Sequence, residues 1–317
     1  MDLRRYTRQY AIQDNRLAAL SYFGTFSVYF LTLYLAIHFA ESWFVVLPAG
    51  VIFAFASVRL YVLQHDMGHH SLFETRMQNE IAGHLVSPFT FAPFEVMKQN
   101  HNLHHANIGN LDHRETGEIH TMTLQEWQQA GFWQRLYYRL YRNPLILVPF
   151  GAAFTYFIRY RWPKNSSRFG ALGVIAHNAF IVALLWLLYQ VSGWLGLTIW
   201  LGFSFLGGMI GVFLVYLQHN FEDTYWDRRP DLSPAEAALQ GSSCLDFGWL
   251  FDFAVANITL HDVHHFNARI PSYRLRQCHY NLPAEFALRR IRFAEALGAL
   301  SLKLWDEDKK RLVPFPA

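Results

Sequence analysis

Histidine is unusually frequent in this chain, with 16 copies among 317 residues, and half of these lie in three short groups. One group has the spacing H-x-x-x-H and two have the spacing H-x-x-H-H, so on a helix the rings of each group project from one face. The groups are His65 and His69; His101, His104 and His105; and His261, His264 and His265. Neutral imidazole is a good ligand for iron, zinc and copper, and the pattern therefore predicts a metal site.

The number of histidines favours two metal ions over one. His219 raises the count to nine, more than twice the four ligands that a tetrahedral zinc ion takes. Di-iron sites in soluble helix bundles use mainly glutamate, whereas carboxylates are scarce in these groups. Neutral ligands leave a high positive charge on the metals, which suits an iron–oxygen oxidant better than a hydrolytic site. His38 and His177 are predicted to be packing residues, and the sequence leaves open whether His70 or His84 joins the site.

Four apolar segments are predicted to position these histidines. Each is 23 to 25 residues long, and at roughly 1.5 Å per residue a helix of that length crosses a hydrocarbon core of about 30 Å. Within them the only charged residue is Arg59, which we expect to reach the interface or a polar partner. The predicted spans are 17–39, 42–64, 169–191 and 194–218.

Lys and Arg lie almost entirely on one side of these predicted spans. Four arginines precede the first span, whereas the turns at 40–41 and 192–193 contain no basic residue. Short cytoplasmic loops collect Lys and Arg, so the chain is predicted to enter the membrane as two helical hairpins. Both termini and a helical cytoplasmic cap, 65–168 and 219–317, then lie on the same side as all nine histidines. The predicted fold is an all-α integral membrane protein.

Parts of the cap are apolar but too short or too kinked to cross a bilayer. Segment 81–97 is interrupted by Pro88 and Pro93, and segment 143–158 is similarly short, so both are predicted to lie in the membrane interface or to cover the spans. Near the C-terminus, apolar residues at helical spacing predict an amphipathic helix, either on the membrane surface or packed on the cap. These residues are Phe286, Phe293, Leu297, Leu300 and Leu304.

Net charge and cysteine content exclude several classes of function. The formal charge is +3, from 27 Lys and Arg against 24 Asp and Glu, which provides no basic surface for nucleic acid. Cys244 and Cys278 are far apart, so the sequence supports neither a disulfide framework nor a cysteine-based metal cluster. A metal transporter is disfavoured because ionisable groups are nearly absent from the spans, and a haem carrier would leave most of the histidines unexplained.

Longer motifs around the histidine groups resemble the membrane-bound fatty acid desaturases, in particular the bacterial omega-6 (delta-12) acyl desaturases. The resemblance includes GNLDHRETGEIHTMTLQEW from residue 109, LYRNPLIL from residue 140, LQHNFEDTYW from residue 217 and RIPSYRL from residue 269. It covers most of the chain and implies a single desaturase domain over residues 1–317. The histidine groups alone are shared with membrane hydroxylases, ketolases and acetylenases.

The resemblance implies a non-haem di-iron centre with O2 as co-substrate and a fatty acyl substrate. Electrons are expected from a separate protein of the ferredoxin, rubredoxin or cytochrome b5 type with its reductase, since the chain contains no cysteine cluster. Met67 and His70 depart from the family, in which cysteine and a small residue are frequent at these positions. The implied location is the bacterial inner membrane. The implied iron ligands are His65, His69, His101, His104, His105, His219, His261, His264 and His265.

The expected reaction is the O2-dependent introduction of a cis double bond into an acyl chain. The nearest alternatives are a hydroxylase, an acetylenase or a terminal-alkene-forming enzyme of the same fold. An acyl chain is expected in an apolar channel between the spans, near four small residues: Gly202, Gly207, Gly208 and Gly211. Five carboxylates near the histidines are candidates to orient the ligating rings: Asp66, Asp112, Glu222, Asp223 and Asp262.

Overall fold

The longest helices of the structure are apolar and pack side by side. The computed structural model describes residues 2–114, 119–162, 171–228, 231, 233–286 and 288–316. Within these residues, three helices are long and apolar enough to cross a membrane. They are α2 (Asn15–His38), α3 (Trp43–Gly68) and α9 (Ala171–His219). The predicted first and second spans overlap α2 and α3.

Four separate spans are not confirmed, because the two predicted C-terminal spans form one helical run of 49 residues, α9. Gly193 interrupts this run with φ 61° and ψ −158°, a conformation that is essentially restricted to glycine. The interruption lies where the sequence predicts the turn between the third and fourth spans. Residues 169 and 170, the first two of the predicted third span, lie outside the described residues.

Helix α3 packs against both α2 and α9. The approach of α9 is close, since a Cβ built on Gly207 would lie 3.0 Å from the carbonyl oxygen of Ala54. On the side of α2, Trp200 Nε1 of α9 donates a hydrogen bond of 2.6 Å to the hydroxyl of Tyr29. The three apolar helices therefore form one packed unit beneath the remaining elements.

Shorter helices form the cap. Those before α9 are α1 (Leu3–Arg8), α4 (Arg76–Thr90), α5 (Phe94–Asn107), α6 (Leu124–Gln129), α7 (Phe132–Tyr141) and α8 (Pro144–Ala152). A π-helical turn, Ala153–Ile158, and a 3-10 turn, Arg159–Arg161, follow α8. Those after α9 are α10 (Pro234–Gln240), α11 (Trp249–Ala254), α12 (His261–Phe266), α13 (Ser272–Tyr280), a 3-10 turn (Ala284–Phe286) and α14 (Phe293–Ala299).

Two predicted boundaries differ from the structure. The second span was predicted to end at Gln64, but α3 continues to Gly68, so His65 belongs to the long helix and not to a loop of the cap. The apolar segment 81–97 is divided between α4 and α5, and Phe91 at the break adopts a left-handed φ of 57°. Pro93 follows this break and directly precedes α5, where a proline needs no backbone donor.

The predicted all-α fold is confirmed only in part, because the described residues of the cap include five short strands: β1 (Met122–Thr123), β2 (Cys244–Asp246), β3 (Arg290–Arg292), β4 (Leu304–Asp306) and β5 (Arg311–Val313). One sheet has the order β1-β4-β5, and the other pairs β2 with β3 in parallel. Leu304 pairs with Met122, a contact between residues too distant in sequence for a local pattern to reveal. The chain is mostly helical.

The C-terminal amphipathic helix is also shorter than predicted. Only Phe293–Ala299 is helical, whereas Phe286 lies in a 3-10 turn and Leu304 lies in β4. On both sides of this short helix the chain forms strands instead, since β3 pairs with β2 and β4 is hydrogen-bonded between β1 and β5. Leu304 is fully buried there, and Phe293 and Leu297 stay exposed.

Candidate metal centre

The first histidine group lies at the end of α3. His65 is in the last turn of the helix, and His69 is its C-terminal cap residue, with ring centroids 5.0 Å apart. Asp66, fully buried between them, accepts a hydrogen bond of 2.7 Å from the backbone N–H of Ser272 through Oδ2. Its other oxygen lies 3.4 Å from His65 Nδ1. The first group is thereby tied to α13, which follows the third group.

The other histidines come from three further helices. His101, His104 and His105 lie on the last two turns of α5. His219 is the last residue of α9. The third group occupies α12, a helix of six residues in which all three histidines are buried. The structure thus brings together residues from four helices that are far apart along the chain.

All nine predicted ligands gather in two clusters. In each cluster one ring nitrogen from every histidine lies within 4.8 Å of the others. The five-histidine cluster consists of His65, His69, His101, His105 and His264, and the four-histidine cluster consists of His104, His219, His261 and His265. The clusters are adjacent, since the rings of His105 and His265 stack with centroids 4.1 Å apart. The nine histidines therefore form two neighbouring sites, each able to hold one metal ion.

The nitrogen–nitrogen distances fit ligands of a common ion. Two nitrogens about 2.0–2.1 Å from one metal lie roughly 2.9–3.4 Å from each other. The Nε2 atoms of His105 and His264 are 3.1 Å apart in the first cluster, and those of His219 and His261 are 3.2 Å apart in the second. In the first cluster, Nε2 of His65 and of His69 is buried without a hydrogen-bond partner among the described residues. A bound cation would satisfy these nitrogens.

Six of the nine rings are held in the neutral form that a metal requires. Burial, reinforced by the neighbouring imidazoles, holds the pKa of six of the nine histidines well below its usual value: His69, His101, His105, His261, His264 and His265. A neutral imidazole has a free lone pair, so no proton has to be removed before a metal binds.

A backbone carbonyl orients one of these rings. His219 Nδ1 lies 2.9 Å from the carbonyl oxygen of Gly241, the residue that ends α10, so the ring presents Nε2 to the four-histidine cluster. No residue pattern marks Gly241 as part of the site, and its role became visible only in the structure.

The five candidate orienting carboxylates have different surroundings. Asp66 lies beside His65, as described above. Burial raises the pKa of Asp262 to about 7, and its carboxylate accepts a hydrogen bond of 2.7 Å from the N–H of Val263. The other three form ion pairs with arginines: Asp112 with Arg228, Glu222 with Arg311 and Asp223 with Arg289. These pairs are partly exposed, and they join loops of the cap.

His70 and His84 lie outside both clusters. His70 Nε2 is 2.7 Å from the carboxylate of Glu80, which also accepts a hydrogen bond from the Lys98 ammonium at 3.0 Å. Glu80, His84 and Glu95 are close enough to resemble a third metal site. Lys98 binds both of these carboxylates, however, and its positive charge takes the place that a cation would need.

A cleft begins one helical turn along α3 from the first cluster. Tyr61, four residues before His65, lines it together with Thr90, Tyr156 and Ser204. Three of the four predicted glycines, at 207, 208 and 211, line it as well, whereas a Cβ built on Gly202 would face open space. The cleft lies between α3, α9 and the π-helical turn after α8. Its lining is mainly aromatic rings and glycine.

Comparisons with known proteins agree with this geometry. The family model described as "Fatty acid desaturase" matches residues 41–296. A protein of Bacillus subtilis (strain 168) named "Fatty acid desaturase" is 32% identical over 99% of this chain and 90% of its own length. An "sn-1 oleoyl-lipid 12-desaturase" of Picosynechococcus is 25% identical over 76% of this chain and 70% of its own. An "sn-1 acyl-lipid omega-3 desaturase (ferredoxin)" of Synechocystis is 27% identical over 75% of this chain and 67% of its own length.

Proposed function

This chain belongs to the fatty acid desaturase family, and we propose that it is a membrane di-iron desaturase that introduces a cis double bond into a fatty acyl chain. The observation that carries the proposal is the division of nine histidines into two adjacent clusters of five and four. Two clusters of nitrogen ligands match two metal ions, and we propose that both ions are iron, as the resemblance to the family implies. We propose that the whole chain forms one such domain.

The nine histidines are the proposed ligands, and the protein around them holds the rings in place. A pair of bound irons would supply the reduction of O2 and the removal of hydrogen from an unactivated methylene. In balance, two hydrogens leave neighbouring carbons of the chain, and two electrons and two protons arrive from outside. O2 is then reduced to two molecules of water. The buried positions of His261, His264 and His265 keep bulk solvent away from this chemistry.

We propose that the cleft beside α3 receives the acyl chain. Its aromatic and glycine lining suits a hydrocarbon, and it begins one turn from His65. Gln64 stands at this end, where its side chain accepts a hydrogen bond of 2.6 Å from Thr90 and donates one of 2.8 Å to the carbonyl oxygen of Ala92. Two of the cleft's lining residues, Phe89 and Phe91, pack on Tyr29 and Trp200, which are hydrogen-bonded to each other. This pair would limit how far the chain reaches.

Electrons are proposed to come from a separate protein of the ferredoxin, rubredoxin or cytochrome b5 type with its reductase. The cysteine content supports an external donor, since Cys244 and Cys278 are both buried single thiols. The name of the Synechocystis relative includes ferredoxin, which makes that class of donor the first one to test.

We propose that α9 crosses the membrane twice, so that α2, α3 and the two halves of α9 form two hairpins. A chain of contacts connects the halves: Arg161 donates a hydrogen bond of 2.8 Å to Asn178 in the first half and another to the carbonyl oxygen of Phe91. The ring of Phe91 lies 5.2 Å from that of Trp200 in the second half. In a straight helix, residues 178 and 200 would be about 33 Å apart. The proposed location is a bacterial inner membrane, with the histidines on the cytoplasmic side.

Expression in a host that makes no polyunsaturated lipids tests the proposed reaction. The expected result is a new cis double bond, located by mass spectrometry of the extracted lipids, together with about two irons and no haem absorption in the purified protein. A matched His101→Ala variant controls for host activity. A hydroxylated, acetylenic or terminally unsaturated product without a new cis double bond would replace desaturation with one of the alternative reactions of this fold.

A further inference from the structure

Helix α11 presents only large apolar side chains on its outer face. It has six residues, Trp249–Ala254, and its outward residues are Trp249, Leu250 and Phe253, which are between 60% and 66% exposed. Its only charged residue, Asp252, points inward and is buried. There Asp252 accepts hydrogen bonds from Thr259 at 2.6 Å and from Arg276 at 2.5 Å. If this face were exposed to water, the hydration of three large apolar side chains would cost free energy.

Helix α11 lies against the apolar helix α3. Phe251 packs edge-to-face on Phe55 of α3, with ring centroids 5.7 Å apart. Arg59 of α3 donates a hydrogen bond to the carbonyl oxygen of Phe253, and its guanidinium lies 4.7 Å from the centre of the Phe253 ring. At 1.5 Å per residue, Phe55 and Arg59 lie roughly 14 Å and 8 Å along α3 from Gln64. Helix α11 is therefore beside the membrane-crossing part of α3.

Arg59 also fixes the level of α11 relative to α2. Its Nε donates a hydrogen bond of 3.1 Å to Thr25 of α2, and the same guanidinium reaches Ser21 at 3.3 Å. Leu20 and Phe23, next to these positions on α2, are exposed apolar residues of a candidate span. Through Arg59, α11 lies at the level of Ser21 and Thr25, which belong to a candidate span. Arg59, the one charged residue of the predicted spans, therefore finds polar partners on two other helices, α2 and α11.

Helix α7 has a similar outer face on another side of the cap. Phe132, Trp133 and Tyr137 are between 69% and 76% exposed. Its inner face is hydrogen-bonded to the rest of the cap: the hydroxyl of Tyr138 donates a hydrogen bond of 2.7 Å to the carbonyl oxygen of Lys303. The cap residue that ends α7, Arg142, donates a hydrogen bond of 2.5 Å to Asn220, which directly follows α9. Helix α7 therefore lies at the level where α9 ends.

From these contacts we propose that α7 and α11 are in-plane membrane helices whose outer faces are covered by bilayer lipid. Helix α11 lies at the depth of the acyl chains beside α2 and α3, and α7 lies at the headgroup boundary, where Trp and Tyr are favoured. The two helices hold the cap, and with it the histidine clusters, against one leaflet. The proposal goes beyond the desaturase reaction and depends only on the position of the apolar helices in the bilayer.

Spin labels measure this depth directly. Single cysteines would replace Leu250 on α11 and Tyr137 on α7, and the labelled protein would be placed in phosphatidylcholine nanodiscs. Cys244 and Cys278 are buried, and unlabelled parent protein checks that they do not react. Collisions of the label with O2, which concentrates in lipid, are compared with those of a water-soluble nickel chelate. Matched controls are Phe23→Cys on the exposed side of α2 and Asp308→Cys in the polar turn between β4 and β5.

The expected order of lipid character is Phe23 and Leu250 highest, Tyr137 intermediate and Asp308 lowest. Two results would overturn the proposal: water-like collisions at position 250, equal to those at 308, or low collisions with both reagents, as expected if a second protein surface covers α11. If position 23 is also water-like, then α2 is outside the bilayer and the membrane topology fails together with the proposal. Iron content and lipid products are measured separately, so a failure of the desaturase function leaves this result unaffected.

Discussion

His264 and His265 are neighbours in the chain, yet their rings enter different clusters. His264 Nε2 lies 3.1 Å from His105 Nε2 in the five-histidine cluster, and His265 Nε2 lies 3.3 Å from His104 Nε2 in the four-histidine cluster. The two ring planes are inclined by 75°. The doublet His104–His105 is divided in the same way, so two pairs of adjacent residues connect the proposed metal sites.

The divided doublets predict that single substitutions remove one metal at a time. His264→Ala is expected to lower iron from about two to about one per chain, and His265→Ala to do the same at the other site. Metal analysis of the purified variants measures this. The matched control is His70→Asn, because His70 is adjacent to His69 but binds Glu80, and asparagine tolerates its left-handed φ of 52°. Loss of iron in the control equal to that in His264→Ala would contradict the division.

The cleft predicts that filling it blocks the substrate and spares the metals. A Cβ on Gly208 would lie 3.1 Å from the Tyr156 ring, so Gly208→Leu introduces atoms for which there is no space. Overpacking costs about 1–3 kcal/mol, and when this cost falls on binding of a long acyl chain, its conversion is expected to fall roughly 5- to 150-fold. Gly202→Leu, at a position facing open space, is the control. Unchanged conversion by Gly208→Leu would show that the acyl chain lies elsewhere.

The backbone conformation of Gly193 predicts that the break in α9 requires glycine at this position. Its φ of 61° and ψ of −158° are accessible to glycine alone, so Gly193→Ala is expected to destabilise the fold by about 1–3 kcal/mol. Gly173→Ala is the matched control within the same helix, and there the added methyl meets no atom within 4 Å. The control is expected to be stabilising by about 0.4–1 kcal/mol. Thermal unfolding in detergent measures both, and equal melting temperatures for the two variants would contradict the prediction.

Glu126 predicts a pH-dependent contribution to stability. Its hydrogen bonds from Arg114, at 2.6 and 2.8 Å, lower its pKa from 4.5 to about 2, and it closes the capping box at the start of α6. Because the folded pKa is lowered, the stabilisation is complete above pH 4.5 and is lost as the pH falls from there towards about 2.

The test compares thermal unfolding of the parent and Glu126→Gln across this range. The variant is expected to melt a few degrees lower near neutral pH, and the difference is expected to vanish in acid. Glu41→Gln, in the exposed turn after α2, serves as the control for loss of one carboxylate. A difference between parent and Glu126→Gln that does not change with pH would mean that the ion pair contributes nothing.

The histidine groups and the apolar segments could be predicted from the sequence because residue spacing and apolar length are local properties. Residues three or four apart share a helix face wherever that helix lies, so the three groups on α3, α5 and α12 were identifiable without a fold. The apolar runs that became α2 and α3 follow from the length needed to cross a bilayer. The break in α9 at Gly193 could likewise be predicted, from the small residues at 192–193.

Other features depend on contacts between distant parts of the chain. Adjacent residues on a helix point about 100° apart, and only the packing of α5 against α12 decides which cluster each ring of a doublet enters. The carbonyl of Gly241 reaches His219 through the fold of α10, and Leu304 is drawn out of a helix by pairing with Met122. The sequence by itself therefore determined which residues could bind metal and which could meet lipid. The tertiary structure decided how the histidines divide between two clusters and that Arg59 holds α11 against α3, because both depend on elements brought together only by folding.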